Sequence, residues 1–182
     1  AKVEVKQPEN PKPGKAARQI GEQASRPLAT CFAFDKDGTR VAVGELNSVS
    51  KANDNFYLPK PPIPKERSAK VSCLSLHPTS GWLAIGASDG AVHFWTGSTD
   101  GTTGVVGKHE GEVRSVAFST NGEFIVSAGS DRLAHVWQAQ GNRGKPLVTC
   151  EHPAPVFAAR FSPDGKQFVT GATDGLIRIW DT

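Results

Sequence analysis

Along residues 113 to 118, Val113, Ser115 and Ala117 alternate with Arg114, Val116 and Phe118. That is the two-residue period of a β-strand. Asn121-Gly122 follows, a pair that adopts positive φ readily and predicts a hairpin turn. A second apolar run starts at Phe124, Asp131-Arg132 marks another turn, and a third strand ends at Trp137. The same order recurs around Asp164-Gly165 and Asp174-Gly175, ending at Trp180, and around Asp89-Gly90, ending at Trp95. Residues 102 to 106 and 147 to 150 fit a fourth, outer strand of their units. Helical periodicity is absent from the chain, so the predicted class is all-β.

These units are repeats. "VSCLSLHPTSGWLAIGASDGAVHFW" (71 to 95), "VRSVAFSTNGEFIVSAGSDRLAHVW" (113 to 137) and "VFAARFSPDGKQFVTGATDGLIRIW" (156 to 180) are each 25 residues long and align without a gap, their starts 42 and 43 residues apart. A weaker copy, "ATCFAFDKDGTRVAVGELNSVSKAN" (29 to 53), begins 42 residues before Val71. It keeps Phe34, Gly38 and Gly44 and the turn pair Asp37-Gly38, but has Asn47 in place of the turn Asp and Asn53 in place of the Trp. Four short strands cannot bury both faces of a small sheet, so neighbouring copies are expected to stack.

Repeats of this length with a terminal Trp, and with Trp-Asp at 180 and 181, resemble those of WD40-repeat β-propellers, whose blades are antiparallel sheets of four strands. The resemblance covers roughly residues 28 to 182 and divides them into repeats at about 28–66, 67–108, 109–151 and 152–182. It is specific for fold and weak for function, because propellers host many unrelated roles.

His109, Ser127 and Asp131, and again His152, Thr170 and Asp174, supply the ingredients of nucleophilic hydrolysis. Both sets occur at matching offsets within the repeat, however, and an enzyme needs one site rather than one per blade. No catalytic residue is therefore expected. The resemblance implies instead a structural hydrogen-bond network of His109, Ser127, Asp131 and Trp137, and a second of His152, Thr170, Asp174 and Trp180. In it the Asp accepts from turn amides and imidazole, the imidazole bonds the hydroxyl, and the hydroxyl accepts the indole N–H. The second repeat departs from the pattern, with Arg67 in the His position and Ile85 in the hydroxyl position.

The resemblance also implies where a protein or peptide partner would dock: the end of the propeller bearing the His-containing loops. Family contacts flank the first-strand Val and precede the turn Asp. Here those positions are Lys70, Ser72 and Ser88; Glu112, Arg114 and Ser130; and Pro155, Phe157 and Thr173. Arg114 and Phe157 are the residue types most enriched in interface hot spots among them.

Composition narrows the function classes further. Hydrophobic residues at 37% and charged residues at 21% are ordinary for a globular protein. No apolar run approaches the ~20 residues of a membrane span, and no signal-peptide core is evident at the N-terminus. Cys31, Cys73 and Cys150 are odd in number and lack Cys-x-x-Cys spacing, which favours reduced thiols in the cytoplasm or nucleus over disulfides or zinc. No cofactor or metal is expected. Residues 1 to 27 hold six basic and three acidic side chains, while the other 155 are balanced at 15 each. The net charge of +3 thus lies in a Pro/Lys-rich arm, and possible nucleic-acid contact lies there too. An intracellular interaction scaffold is the expected function, and a ribonucleoprotein or nucleic-acid-associated subunit is the alternative.

Smaller features fit packing. Trp82 aligns with Phe124 and Gln167 and is expected between blades; Cys31 and Cys73 share one strand position; His77, His93 and His135 are expected to be satisfied or solvated. "LPKPPIP" (58 to 64) predicts an irregular connection where the first outer strand should be. The fourth repeat lacks an outer strand, and a family of about seven blades is not expected to close with four. Three explanations stay open: a fragment of a longer protein, a strand borrowed from the arm such as "AKVEV" (1 to 5), or an edge supplied by a second chain.

Overall fold

The structure is a computed structural model that describes residues 29–34, 41–45, 48–51, 69–96, 103–141 and 143–182. The arm with "AKVEV", the 58–64 segment, Arg67, Asn47, Asn53, Thr102 and the Asp37-Gly38 turn lie outside the described residues.

Among the described residues, fourteen strands form four antiparallel sheets. The first holds β1 (Ala29–Phe34), β2 (Val41–Glu45) and β3 (Ser48–Lys51). The second holds β4 (Val71–Leu76), β5 (Leu83–Ala87), β6 (Ala91–Trp95) and β7 (Thr103–Lys108). The third is built from β8 (Val113–Phe118), β9 (Phe124–Gly129), β10 (Leu133–Gln138) and β11 (Val148–Glu151). The fourth has β12 (Val156–Phe161), β13 (Gln167–Ala172) and β14 (Ile177–Asp181). Each sheet is a meander in which sequence neighbours pair, as short hairpin connections require. No helix occurs among the described residues.

The sheets stack as blades, with β1, β4, β8 and β12 side by side. Apolar burial lies between sheets. Ala42 of the first sheet packs on Val71, Leu74, Leu83, Ile85 and Trp95 of the second. Ala84, Val92 and Phe94 of the second pack on Val113, Val116, Ile125 and Trp137 of the third. Val126, Ala134 and Val136 of the third meet Val156, Ala159 and Phe168 of the fourth. Trp82 joins the layer between the second and third sheets, in edge contact with Phe94 at 5.4 Å.

Simple alternation fails in the first strands. All of β8 is buried except Arg114, because an inner strand is covered on both faces by neighbouring sheets. Moreover, all four first strands slip register at their second residue, between Ala29 and Cys31, Val71 and Cys73, Val113 and Ser115, and Val156 and Ala158. Such a bulge turns one side chain out of the ladder.

Candidate functional site

The third repeat joins four side chains in one buried chain of hydrogen bonds. Trp137 Nε1–H donates to Ser127 Oγ at 2.7 Å, Ser127 Oγ lies 2.7 Å from His109 Nε2, and His109 Nδ1 lies 2.9 Å from Asp131 Oδ2. The ends set the directions: indole only donates and carboxylate only accepts, so Nδ1 carries the imidazole proton and Nε2 accepts from the hydroxyl. Asp131 also accepts the amides of Glu110 and Leu133, which ties the turn to the loop before β8. Glycine is needed at 129, where a Cβ would stand 2.6 Å from His109 Nδ1. Burial pushes the His109 imidazole below the ordinary histidine range, against the opposing pull of Asp131.

The fourth repeat completes only part of this set. His152 Nε2 meets Thr170 Oγ1 at 2.8 Å, and Trp180 Nε1–H donates to the same oxygen at 2.8 Å. Asp174, expected on His152 Nδ1, instead accepts from Arg178 at 2.7 Å, while Nδ1–H turns to the Cys150 carbonyl at 3.2 Å. The cause is position 178, where the second and third repeats carry His93 and His135. A guanidinium competes better for a carboxylate than a neutral imidazole does. In the second repeat, Ile85 leaves Trp95 Nε1 buried with no acceptor among the described residues.

His135 packs against His109 with tilted rings whose centroids are 4.6 Å apart, and contacts Thr149 Oγ1 at 3.0 Å. His77, His93 and His135 are all buried, so none of them is solvated. The donor atoms of His109, Asp131 and His135 lie within 4.8 Å of one another. Both nitrogens of His109 are already committed within the network, so a metal ion there would have to displace Asp131 or Ser127.

The nine residues expected at the partner-facing end lie together in part. Ser72 Oγ–H donates to Glu112 Oε1 at 2.7 Å, Glu112 pairs with Arg114 at 3.0 Å, and Arg114 Nε–H donates to Ser130 Oγ at 2.9 Å. The Arg114 guanidinium stands over Phe157 of the next sheet. Lys70 N–H donates to Ser88 Oγ, and Thr173 N–H and Oγ1–H both donate to the Pro155 carbonyl. Ser72, Arg114 and Phe157 are the bulge residues of their strands, which aims them at this end rather than into a sheet face. Sequence patterning missed the bulges, because Thr30, Ser72, Arg114 and Phe157 share no chemistry that marks one.

Among the described residues no helix is long and apolar enough to cross a membrane. The family model "WD domain, G-beta repeat" matches residues 64–96, 101–138 and 144–181. The chain is 36% identical over 67 residues to "Periodic tryptophan protein 2 homolog" of Neurospora crassa, covering 36% of this chain and 8% of that protein. It is 33% identical over 92 residues to "WD repeat-containing protein 55" of Pongo abelii, covering 48% and 24% respectively. A chain in "Crystal Structure of Mitotic Checkpoint Complex" superposes with a TM-score of 0.69 at 25% identity, covering 82% of this chain and 46% of that one. The chain therefore spans less than half the length of each of these similar proteins. With three matched repeats over meander sheets stacked as blades, it belongs to the WD40 β-propeller family.

Proposed function

We propose that residues 28–182 act as a non-catalytic scaffold of four repeats in an intracellular multi-subunit assembly, cytoplasmic or nuclear, holding a protein or peptide partner at the end where Arg114 and Phe157 emerge. The observation that carries this reading is the recurring bulge, which sends Ser72, Arg114 and Phe157 to the same end of three successive sheets. Phe157 is 48% exposed there, a large ring offered to solvent beside a guanidinium. The His-hydroxyl-Asp sets support fold rather than catalysis, since a buried hydroxyl bound to an indole N–H has no room for a substrate carbonyl. The odd count of three cysteines fits a reducing compartment, and the similar chain in a mitotic checkpoint complex supports the assembly reading. Replacing Arg114 and Phe157 together with Ala is expected to weaken partner capture while the melting curve holds. Unchanged capture of the same partners overturns the site.

The last sheet adds a second contact. Ile177 and Ile179 are 78% and 66% exposed, whereas their counterparts Val92, Phe94, Ala134 and Val136 are buried under the next sheet. We infer that a further sheet or strand covers them, from the rest of the same protein or from another chain. The solution mass of the 182-residue chain distinguishes these sources: a dimer means a second copy. A reading as a nucleic-acid-associated subunit rests on the basic arm alone and predicts binding that weakens steeply with salt and is lost with residues 1 to 27.

A further inference from the structure

A cleft of about 530 Å³ opens between the second and third repeats, at the opposite ends of the strands from Arg114 and Phe157. Its walls include Trp82, His77, Phe124, Glu123 and Gln138. Trp82 is held in place, edge-on to Phe94 at 5.4 Å and to His77 at 5.0 Å. His77 is fixed in turn: Nδ1 accepts the amides of Thr79 and Ser80, each at 3.2 Å, and the ring abuts Phe118 at 5.1 Å. Across the cleft the Asn121-Gly122 turn lies flat on His77. Gly122 has φ of 77°, and a Cβ there would run into the imidazole. Among the described residues that line the cleft, none is a lysine or arginine. Burial keeps His77 below the ordinary histidine range, so Glu123 supplies the one formal charge among the lining residues. Asn121 Nδ2–H donates to Glu123 Oε2 at 2.8 Å and holds that carboxylate at the rim.

We propose that this cleft binds an arginine side chain from a basic peptide segment, with the guanidinium against the Trp82 ring and paired with Glu123. Two independent features select that chemistry. Aromatic faces attract a planar, weakly hydrated cation, and a carboxylate fixed at the rim pairs with it in a fork geometry. An acidic peptide meets repulsion from Glu123, and a purely apolar one leaves its negative charge uncompensated. The site is separate from the Arg114 end, so the propeller would hold two partners, one at each end.

The test uses the full chain labelled with ¹⁵N, whose four tryptophans provide four indole signals, with Trp82→Phe identifying the one that matters. The probe is N-acetyl-Gly-Ser-Arg-Ser-Gly-amide, compared with the same peptide carrying citrulline, which keeps the shape of arginine without its charge. The Trp82 signal is expected to shift saturably with the arginine peptide. Binding should weaken about fivefold for citrulline and about threefold for Glu123→Gln, in line with one cation–π contact and one exposed ion pair. Arg114→Ala should leave the titration unchanged. A Trp82 signal that stays still at millimolar peptide, equal binding of the citrulline peptide, or full affinity in Glu123→Gln each overturns the proposal.

Discussion

The guanidinium carbon of Arg114 lies 5.3 Å from the ring centre of Phe157, so the bulge residues of two successive blades are in direct contact. The pair spans separate sheets, and each member also has local support: Arg114 from Glu112 and Ser130, Phe157 from the loop held by Thr173 on the Pro155 carbonyl. An exposed cation on an aromatic face is worth little to folding, about 0.5–1 kcal/mol. Its consequence is placement. Both side chains are ordered before any partner arrives, which lowers the entropy cost of binding.

Ser127 joins the third repeat's network by accepting from Trp137 and donating to His109. Ser127→Ala leaves a buried indole N–H and a buried imidazole nitrogen unpaired at once. The expected loss is about 2–3 kcal/mol in denaturant unfolding. A loss below about 0.5 kcal/mol would show that the network does not hold the blade.

Burial is the main cause that lowers the His152 pKa, and Arg178, which takes Asp174 from His152, lowers it further by its positive charge. Arg178→Gln removes that positive charge and frees the carboxylate for His152 Nδ1–H. The His152 pKa, followed by NMR titration, should rise, since both changes favour the imidazolium.

Arg132 has a φ of 70°, where the equivalent turn positions in the second and fourth repeats are Gly90 and Gly175. Among the described residues it is the one non-glycine in that region. Arg132→Gly relieves the Cβ clash but gives the unfolded chain more freedom. A net gain of about 0.5–1 kcal/mol is expected, read as a higher Tm.

All five histidines have pKa values below the ordinary 6.5, with burial the largest cause in each case. His135 is pushed furthest, to about 4, and the neighbouring His109 contributes. The unfolded chain therefore binds protons first as pH falls. Stability is full above about pH 6.5 and declines as pH drops towards 4, where the last folded-state histidine charges. Unfolding curves at pH 7.5, 5.5 and 4.5 should show that order, and His135→Gln should flatten the slope.

Much of this was legible in the sequence, for physical reasons. Turn pairs such as Asn121-Gly122 and Asp164-Gly165 put a glycine at positive φ and so mark the strand ends, which the structure places at Phe118 and Phe124, and at Phe161 and Gln167. The His109–Ser127–Asp131–Trp137 set could be read because its members recur at fixed offsets. Asp174 defeated the same reasoning, since a carboxylate chooses between partners by charge and distance, and Arg178 differs from its counterparts only in three dimensions of consequence: charge, reach and donor number. The inner strands misled on alternation because burial on both faces erases the period that one-sided burial creates.

Site-specific photocrosslinking in cells tests the central claim most directly, with a benzoylphenylalanine placed at 157 and, as control, at the exposed position 166 on the opposite end of the fourth sheet. The account predicts a discrete protein adduct from position 157 that is lost in Arg114→Ala, and none from 166. Adducts of equal yield from both positions, or from 166 alone, would contradict it.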